Sequence, residues 1–421
     1  MAGALLLFFL LTFDRWAGMS AITTDAARSG AMCWPFIPDC GRWYFLESLP
    51  DGYSQSTFYM ALYAAMLGAV LAMWQKRWTV AHAILFVLFL WKTYVVLLHY
   101  TIAGPYDYYH LGLTAALLFI PLKLYFLKLL FVTFYFLAGS TKFDETWILG
   151  TYFTTLQTGL PLFPDALTPL FTNFVILMQV IGAWFLLTKE GWQQRATLAI
   201  FFFFHLYSGI FVLYHYPSIA LPPLIILFGM FYSYERPPVS RRAIAGWALI
   251  ALVAATHIPP LMIEGDRRMT LEGNRFGMFM FEANHQCISA SRVYEKTDDP
   301  VEASEWRPLS CNGQKCLTHR AIYEEEGYRV TEDRIETGAA WNRCDPYVEW
   351  VLLNARCDRN PRIERIALAF DHSINGGPFY RIVDTEDICA LDYTPFRHNE
   401  WIRHAEDAEM IGIPVKDEYR Y

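Results

Sequence analysis

Apolar runs of about twenty residues, parted by short charged turns, fill the first 262 positions of the chain. A membrane-spanning helix needs about 20 mostly apolar residues. The pattern predicts spans over 2–21, 57–75, 79–103, 107–121, 122–139, 167–188, 195–216, 217–234 and 243–262. The fourth and fifth share one apolar run broken at Pro121, which predicts two short helices meeting at the proline. Residues 2–13 resemble a signal-peptide core, but no basic segment precedes them and Asp14 and Arg15 follow, so they are read as a first helix. After 262 the pattern changes to frequent charge and short alternating segments. Residues 365–370 (RIALAF) and 379–383 (FYRIV) read as strands, with Gly376, Gly377 and Pro378 as the turn between them. Residues 347–354 fit either helix or strand. The expected fold is a polytopic all-α membrane bundle of about nine transmembrane helices (1–262) followed by an extracytoplasmic α+β or β-rich domain (263–421).

Composition agrees with this division. The chain is 54% hydrophobic and only 18% charged, against about 25% charged in soluble domains. Its net charge of −7 comes with no basic stripe, which excludes a nucleic-acid partner. Basic residues fall in alternate loops: Lys76 and Arg77, Lys123, Lys189 and Arg195, then Arg236, Arg241 and Arg242. Lys and Arg in short loops mark the cytoplasmic side. The N-terminus is then cytoplasmic, and an odd number of spans puts the C-terminal domain outside. The eight cysteines support that orientation. Cys33 and Cys40 lie in the first external loop, and Cys287, Cys311, Cys316, Cys344, Cys357 and Cys389 lie in the C-terminal domain. Such placement suits disulfides in an oxidising compartment. A zinc knuckle at Cys311 and Cys316 is the rival reading, but no second tight pair accompanies it, so no metal site is expected.

Ionisable residues inside apolar helices are costly and are candidates for function. His99, Asp107, His110, Lys142, Asp144, Glu145, His205 and His215 gather toward the external ends of the spans, and Lys92 sits nearer mid-span. Each could be an isolated interfacial residue. As a set they suggest a polar pocket opening outward. The segment 135–150 (YFLAGSTKFDETWILG) puts Lys142 at the boundary between an apolar helix and water. There it is either a snorkelling anchor or a desolvated amine able to act as a base.

Three blocks resemble the vitamin K-dependent gamma-glutamyl carboxylase family and the bacterial proteins that share its transmembrane domain. They are 135–150, then 204–217 (FHLYSGIFVLYHYP), then 370–387 (FDHSINGGPFYRIVDTED). The resemblance implies nine helices with a luminal domain. It implies reduced vitamin K (a naphthoquinol) as cofactor, with O2 and CO2 as co-substrates. Lys142 would be the catalytic base toward the quinol. His205, Trp147, His110 and Asp107 would bind the cofactor, the last two lying where the family has an Asn-His pair. Arg275 and His285, near the block FGMFMFEANHQC, would hold the carboxylate of a peptide or protein glutamate. The chain departs from the animal enzymes in a shorter loop between the fourth and fifth spans, and nothing in it resembles their propeptide-binding C-terminal portion. That favours a bacterial inner membrane, with membrane lipid around the bundle, over the endoplasmic reticulum. Two other functions fit the same residues: a quinol-dependent oxidoreductase with another acceptor, and a non-catalytic membrane protein that binds or matures peptides.

Overall fold

The structure, a computed structural model, describes residues 2–13, 19–20, 32–37, 40–43, 54–101, 104–154, 159–212, 215–230, 232–279, 283–310, 316–337 and 344–412. The chain divides into two compact units. One comprises Met1–Phe143, Phe174–His257 and Met278–Met280, and the other Asp144–Asn173, Ile258–Gly277 and Phe281–Tyr421.

The long helices are α1 (Ala2–Leu11), α2 (Ser54–Trp74), α3 (Trp78–Leu98), α4 (Pro105–Phe119), α5 (Lys123–Ser140), α6 (Thr168–Val180), α7 (Trp192–Phe211), α8 (His215–Leu224) and α9 (Ile244–Ala255). Among the described residues, five stretches are long and apolar enough to cross a membrane: Ser56–Trp74, Trp78–Leu98, Lys123–Ser140, Asp165–Leu187 and Arg241–Met262. The other predicted spans are shorter or more polar. Helix α4 has 15 residues and rises about 22 Å, less than the roughly 30 Å hydrocarbon core. Prolines set both its limits, Pro105 in the first turn and Pro121 just past the end. Leu122 takes a left-handed φ of 58° before α5 begins, so two helices do meet at Pro121. Lys123 closes the break, its ammonium donating to the carbonyls of Leu117 and Leu118 at the end of α4. Helix α1 covers only the start of 2–21, and 14–18 lie outside the described residues. Helix α8 contains Pro222 and Pro223, which cannot donate backbone hydrogen bonds, and it continues as a π-helical turn at Ile225–Met230.

Burial divides these helices by role. The apolar window of α2 is only 17% buried, and Met60, Leu67 and Trp74 stand exposed on it. An apolar helix left this bare is suited to lipid. Helix α5 is 78% buried in the same measure and is the centre of its unit. Its contacts include the rings of Phe131 on Phe228 and of Phe126 on Trp247.

The second unit carries one antiparallel seven-stranded sheet in the order β2-β3-β4-β1-β5-β6-β7. The strands are β1 (His285–Lys296), β2 (Ser304–Ser310), β3 (Cys316–Glu325), β4 (Tyr328–Thr337), β5 (Ile363–Ile374), β6 (Phe379–Thr385) and β7 (Glu409–Gly412). The two predicted strands are β5 and β6. Their turn is centred on Asn375 and Gly376, both at positive φ, and closed by Gly377 N–H donating to Ile374 O at 3.0 Å. That is a type I′ geometry matching strand twist, one residue earlier than the glycine pair suggests. Residues 347–354 are helix, part of α10 (Pro346–Arg359), because Asp345 caps its start by accepting from Tyr347 N–H at 3.0 Å. Helix α10 packs on β5, and Val293, Leu353, Ile366, Leu368, Phe370 and Ile382 form the core between them.

Six of the expected cysteines pair as disulfides: Cys33 with Cys40, Cys287 with Cys344, and Cys357 with Cys389. Cys311 lies outside the described residues, and Cys316 opens β3. A cross-link stabilises more the longer the loop it closes, with the logarithm of the loop length. Replacing both Cys287 and Cys344 by Ser, which opens a separation of 57 residues, is expected to cost about 4 kcal/mol by chain entropy. Opening the 7-residue separation of Cys33 and Cys40 is expected to cost about 2 kcal/mol. Denaturant midpoints of the two double variants check the order, and equal losses would contradict it.

Candidate functional site

Asp107 and His110 are three residues apart on α4, so they share a face. Both are buried, as is Lys92 of α3. Lys92 Nζ lies 2.8 Å from His110 Nδ1 and 3.4 Å from Asp107 Oδ1. His110 Nε2 lies 2.6 Å from Thr12 Oγ1, and Thr12 donates to Phe9 O at 2.9 Å. An ammonium can only donate. His110 Nδ1 must therefore accept from Lys92, Nε2 carries the proton and donates to Thr12, and the hydroxyl passes its own proton to Phe9 O. The chain runs one way, from Lys92 to the backbone of α1. Asp107 also accepts from Gly104 N–H at 3.0 Å, closing the first turn of α4. The rings of Phe9 and Phe13 stand edge-on to His110, giving the polar chain apolar walls.

Lys142 lies two residues past the end of α5 and is 2% exposed. Its Nζ reaches back to donate to Ala138 O at 2.7 Å, and its own N–H donates to Gly139 O at 3.1 Å. Seven residues earlier on the same face stands Tyr135, about 10 Å away along the axis. Its hydroxyl is hydrogen-bonded to His205 Nε2 of α7, and Phe201 meets its ring edge-on. His205 is thus locked onto α5 by Tyr135, the first residue of the block 135–150. His99 is buried beside Thr101 Oγ1 at 3.1 Å. The side chain of His215 lies outside the described residues.

The sheet unit holds the remaining candidates. Trp147 is buried and stacks on Tyr152 at 5.3 Å. Asp144 accepts from Thr146 N–H at 2.8 Å and forms an ion pair with Arg268. Glu145 is exposed. Arg275 faces Asp345, Nε to Oδ2 at 3.8 Å, while His285 pairs with His372. His285 Nδ1 and His372 Nε2 are 3.0 Å apart, and His372 Nδ1 is 2.6 Å from Met269 O. The carbonyl fixes the proton on His372 Nδ1, so Nε2 accepts from His285, and His285 keeps Nε2 as an acceptor. Burial pushes His372 down to about 4 from the ordinary 6.5. Burial, then His372 and Arg268, push His285 well below it too.

The two predicted substrate residues therefore have separate partners, and Asp107 and His110 are joined by Lys92. Lys92 was visible as a lysine in an apolar run, and the three-residue spacing of Asp107 and His110 was the signal for its partners. Thr12 and Tyr135 gave none, since a hydroxyl on an apolar helix is ordinary. No known protein family, curated protein or solved structure matches the chain.

Removing one partner of a buried ion pair strands the other charge. Asp107→Ala is expected to lower stability by about 3 kcal/mol, while Asp107→Ala with Lys92→Met recovers most of the loss. Thermal unfolding in detergent reads both, and a double variant no better than the single would rule out stranded charge as the cause. In the sheet unit, the unfolded chain binds protons near pH 6.5 that buried His372 refuses until about pH 4. Stability from His372 is full above pH 6.5 and falls as pH drops from 6.5 toward 4, by about 3 kcal/mol in all. A flat profile of unfolding midpoint over that window would contradict the neutral pair.

Proposed function

We propose that the chain is an integral membrane enzyme of the vitamin K-dependent gamma-glutamyl carboxylase type, with nine spans, a cytoplasmic N-terminus and the sheet domain outside. The observation that carries this reading is Lys142, a lysine almost wholly removed from water at the end of the central helix α5, in the block that resembles the family's base. A base that must take a proton from a weakly acidic quinol needs a site closed to bulk water. The amine has a backbone carbonyl as acceptor, and the face of α5 it extends carries the Tyr135–His205 pair.

In this reading Lys142 would remove a hydroxyl proton from the naphthoquinol, and oxygenation of that anion by O2 would supply the strong base that takes the γ-proton of a peptidyl glutamate. The quinol would end as its epoxide, the second oxygen atom leaving as water with two of the protons, and the glutamate carbanion would add CO2 to give a second carboxylate. Of the sheet domain's two candidates for the peptide, Arg275, beside Asp345, has the donors for a carboxylate, while neutral His285 offers Nε2 as an acceptor for a peptide N–H.

The test is epoxide formation by the detergent-purified chain supplied with reduced vitamin K, O2 and CO2. Lys142→Ala is expected to lose at least about 100-fold in rate, the usual contribution of a general base, with partial recovery on adding a small primary amine. Undiminished epoxide from Lys142→Ala would overturn the base assignment. No epoxide from the intact chain, where a known carboxylase is active, would replace the enzyme with the binding or maturation protein.

A further inference from the structure

Gln179 lies one residue from the end of α6 and is 3% exposed, yet its Oε1 makes no hydrogen bond among the described residues. A buried amide oxygen without a partner costs about 1–3 kcal/mol, and such groups are rare enough in folded proteins that each needs a cause. The position of Gln179 suggests one. Gly139 of α5 has no side chain, and a Cβ there would lie 2.7 Å from Gln179 Cβ, 2.9 Å from Val180 Cγ2 and 3.3 Å from Val180 N. The two helices touch almost backbone to backbone. Three residues before Gly139, Phe136 meets Trp184, four residues past the end of α6, edge-on at 5.8 Å, so the two segments run antiparallel.

The Lys142 N–H donates to Gly139 O at 3.1 Å, which sets Gly139 beside Lys142. Lys142 Nζ is itself bound to Ala138 O. An amine just past α5 and an amide of α6 whose oxygen has no partner among the described residues therefore flank one turn, 138–139, and Gly139 is what lets the second helix come so near. Tyr135 and His205, the other polar pair on this face, hold each other, whereas the Gln179 Oε1 awaits a donor.

We infer that Gln179 is a binding residue for the aromatic diol, a further contact in the site of Lys142; this rests on the quinol reading above. A naphthoquinol hydroxyl donates to Oε1. In the oxidised ring the carbonyl instead accepts from Nε2, so one amide serves both redox states by presenting its other end. Gln179 positions a ring oxygen and takes no proton from it.

The experiment measures equilibrium binding of menadiol, kept reduced under anaerobic conditions, by quenching of tryptophan fluorescence, to the full-length purified chain and to Gln179→Leu and Gln179→Met, together with the unfolding midpoint of each. Both variants are expected to bind about tenfold more weakly, the value of one hydrogen bond near its upper range. Both are also expected to melt no lower than the parent, because an apolar side chain relieves a stranded amide. Unchanged affinity in both variants would overturn the role of Gln179 and leave the quinone reading standing. Lower melting in both would show a structural role and overturn it as well. A parent chain that binds no menadiol would remove the quinol reading and this inference with it.

Discussion

A polar group enclosed by apolar side chains must bring its own partner, and that requirement shapes both units. Inside hydrocarbon or packed protein, an unpaired charge or donor finds no water to replace the lost bond. In the helical unit the consequence is a directed chain joining three stretches of sequence far apart: Lys92 from α3, Asp107 and His110 from α4, and Thr12 at the end of α1. Apolar packing alone is nearly indifferent to how helices slide or turn. These bonds are not, and they fix which faces of α1, α3 and α4 meet. In the sheet unit the same rule explains why the buried His285 and His372 stay neutral and end on a backbone carbonyl.

Much of the fold could be read from period and breakers alone. Long apolar runs gave the helices, and Pro121 gave the break between α4 and α5, because a proline acts on its own backbone whatever surrounds it. The β5–β6 hairpin was legible from alternation. Its turn centre shifted to Asn375 and Gly376 because both can take positive φ, a property a run of three turn-formers does not rank. The choice of helix for 347–354 was not visible, since it depends on the Asp345 cap two residues before the stretch. Spans such as 107–121 and 195–216 were counted by apolar content, and a 15-residue α4 shows that content does not fix length when prolines bound the element.

The candidate site was legible where chemistry is rare. A lysine after an apolar helix, or a carboxylate and a histidine three apart in one, stands out against its surroundings. Partners of common type did not stand out: Tyr135 among so many aromatics, His372 within a strand, Gln179 near the end of an apolar helix. His285 and His372 show why. The register sets His285 opposite Ile374, so the histidines meet as diagonal neighbours across two strands, a relation fixed by pairing between segments some ninety positions apart.

The place of β1 in the sheet bears on how the domain is made. The first strand of the domain to leave a ribosome is the fourth in the sheet, with β4 on one side and β5 on the other. The meander β2-β3-β4 can assemble from local contacts, but β1 has one edge open until β5 emerges. Pairing between distant segments is slow, and an open strand edge invites the wrong neighbour. The bond between Cys287 at the start of β1 and Cys344 just before α10 involves two residues synthesised before β5. An oxidising compartment could therefore tether the waiting strand before its last neighbour arrives.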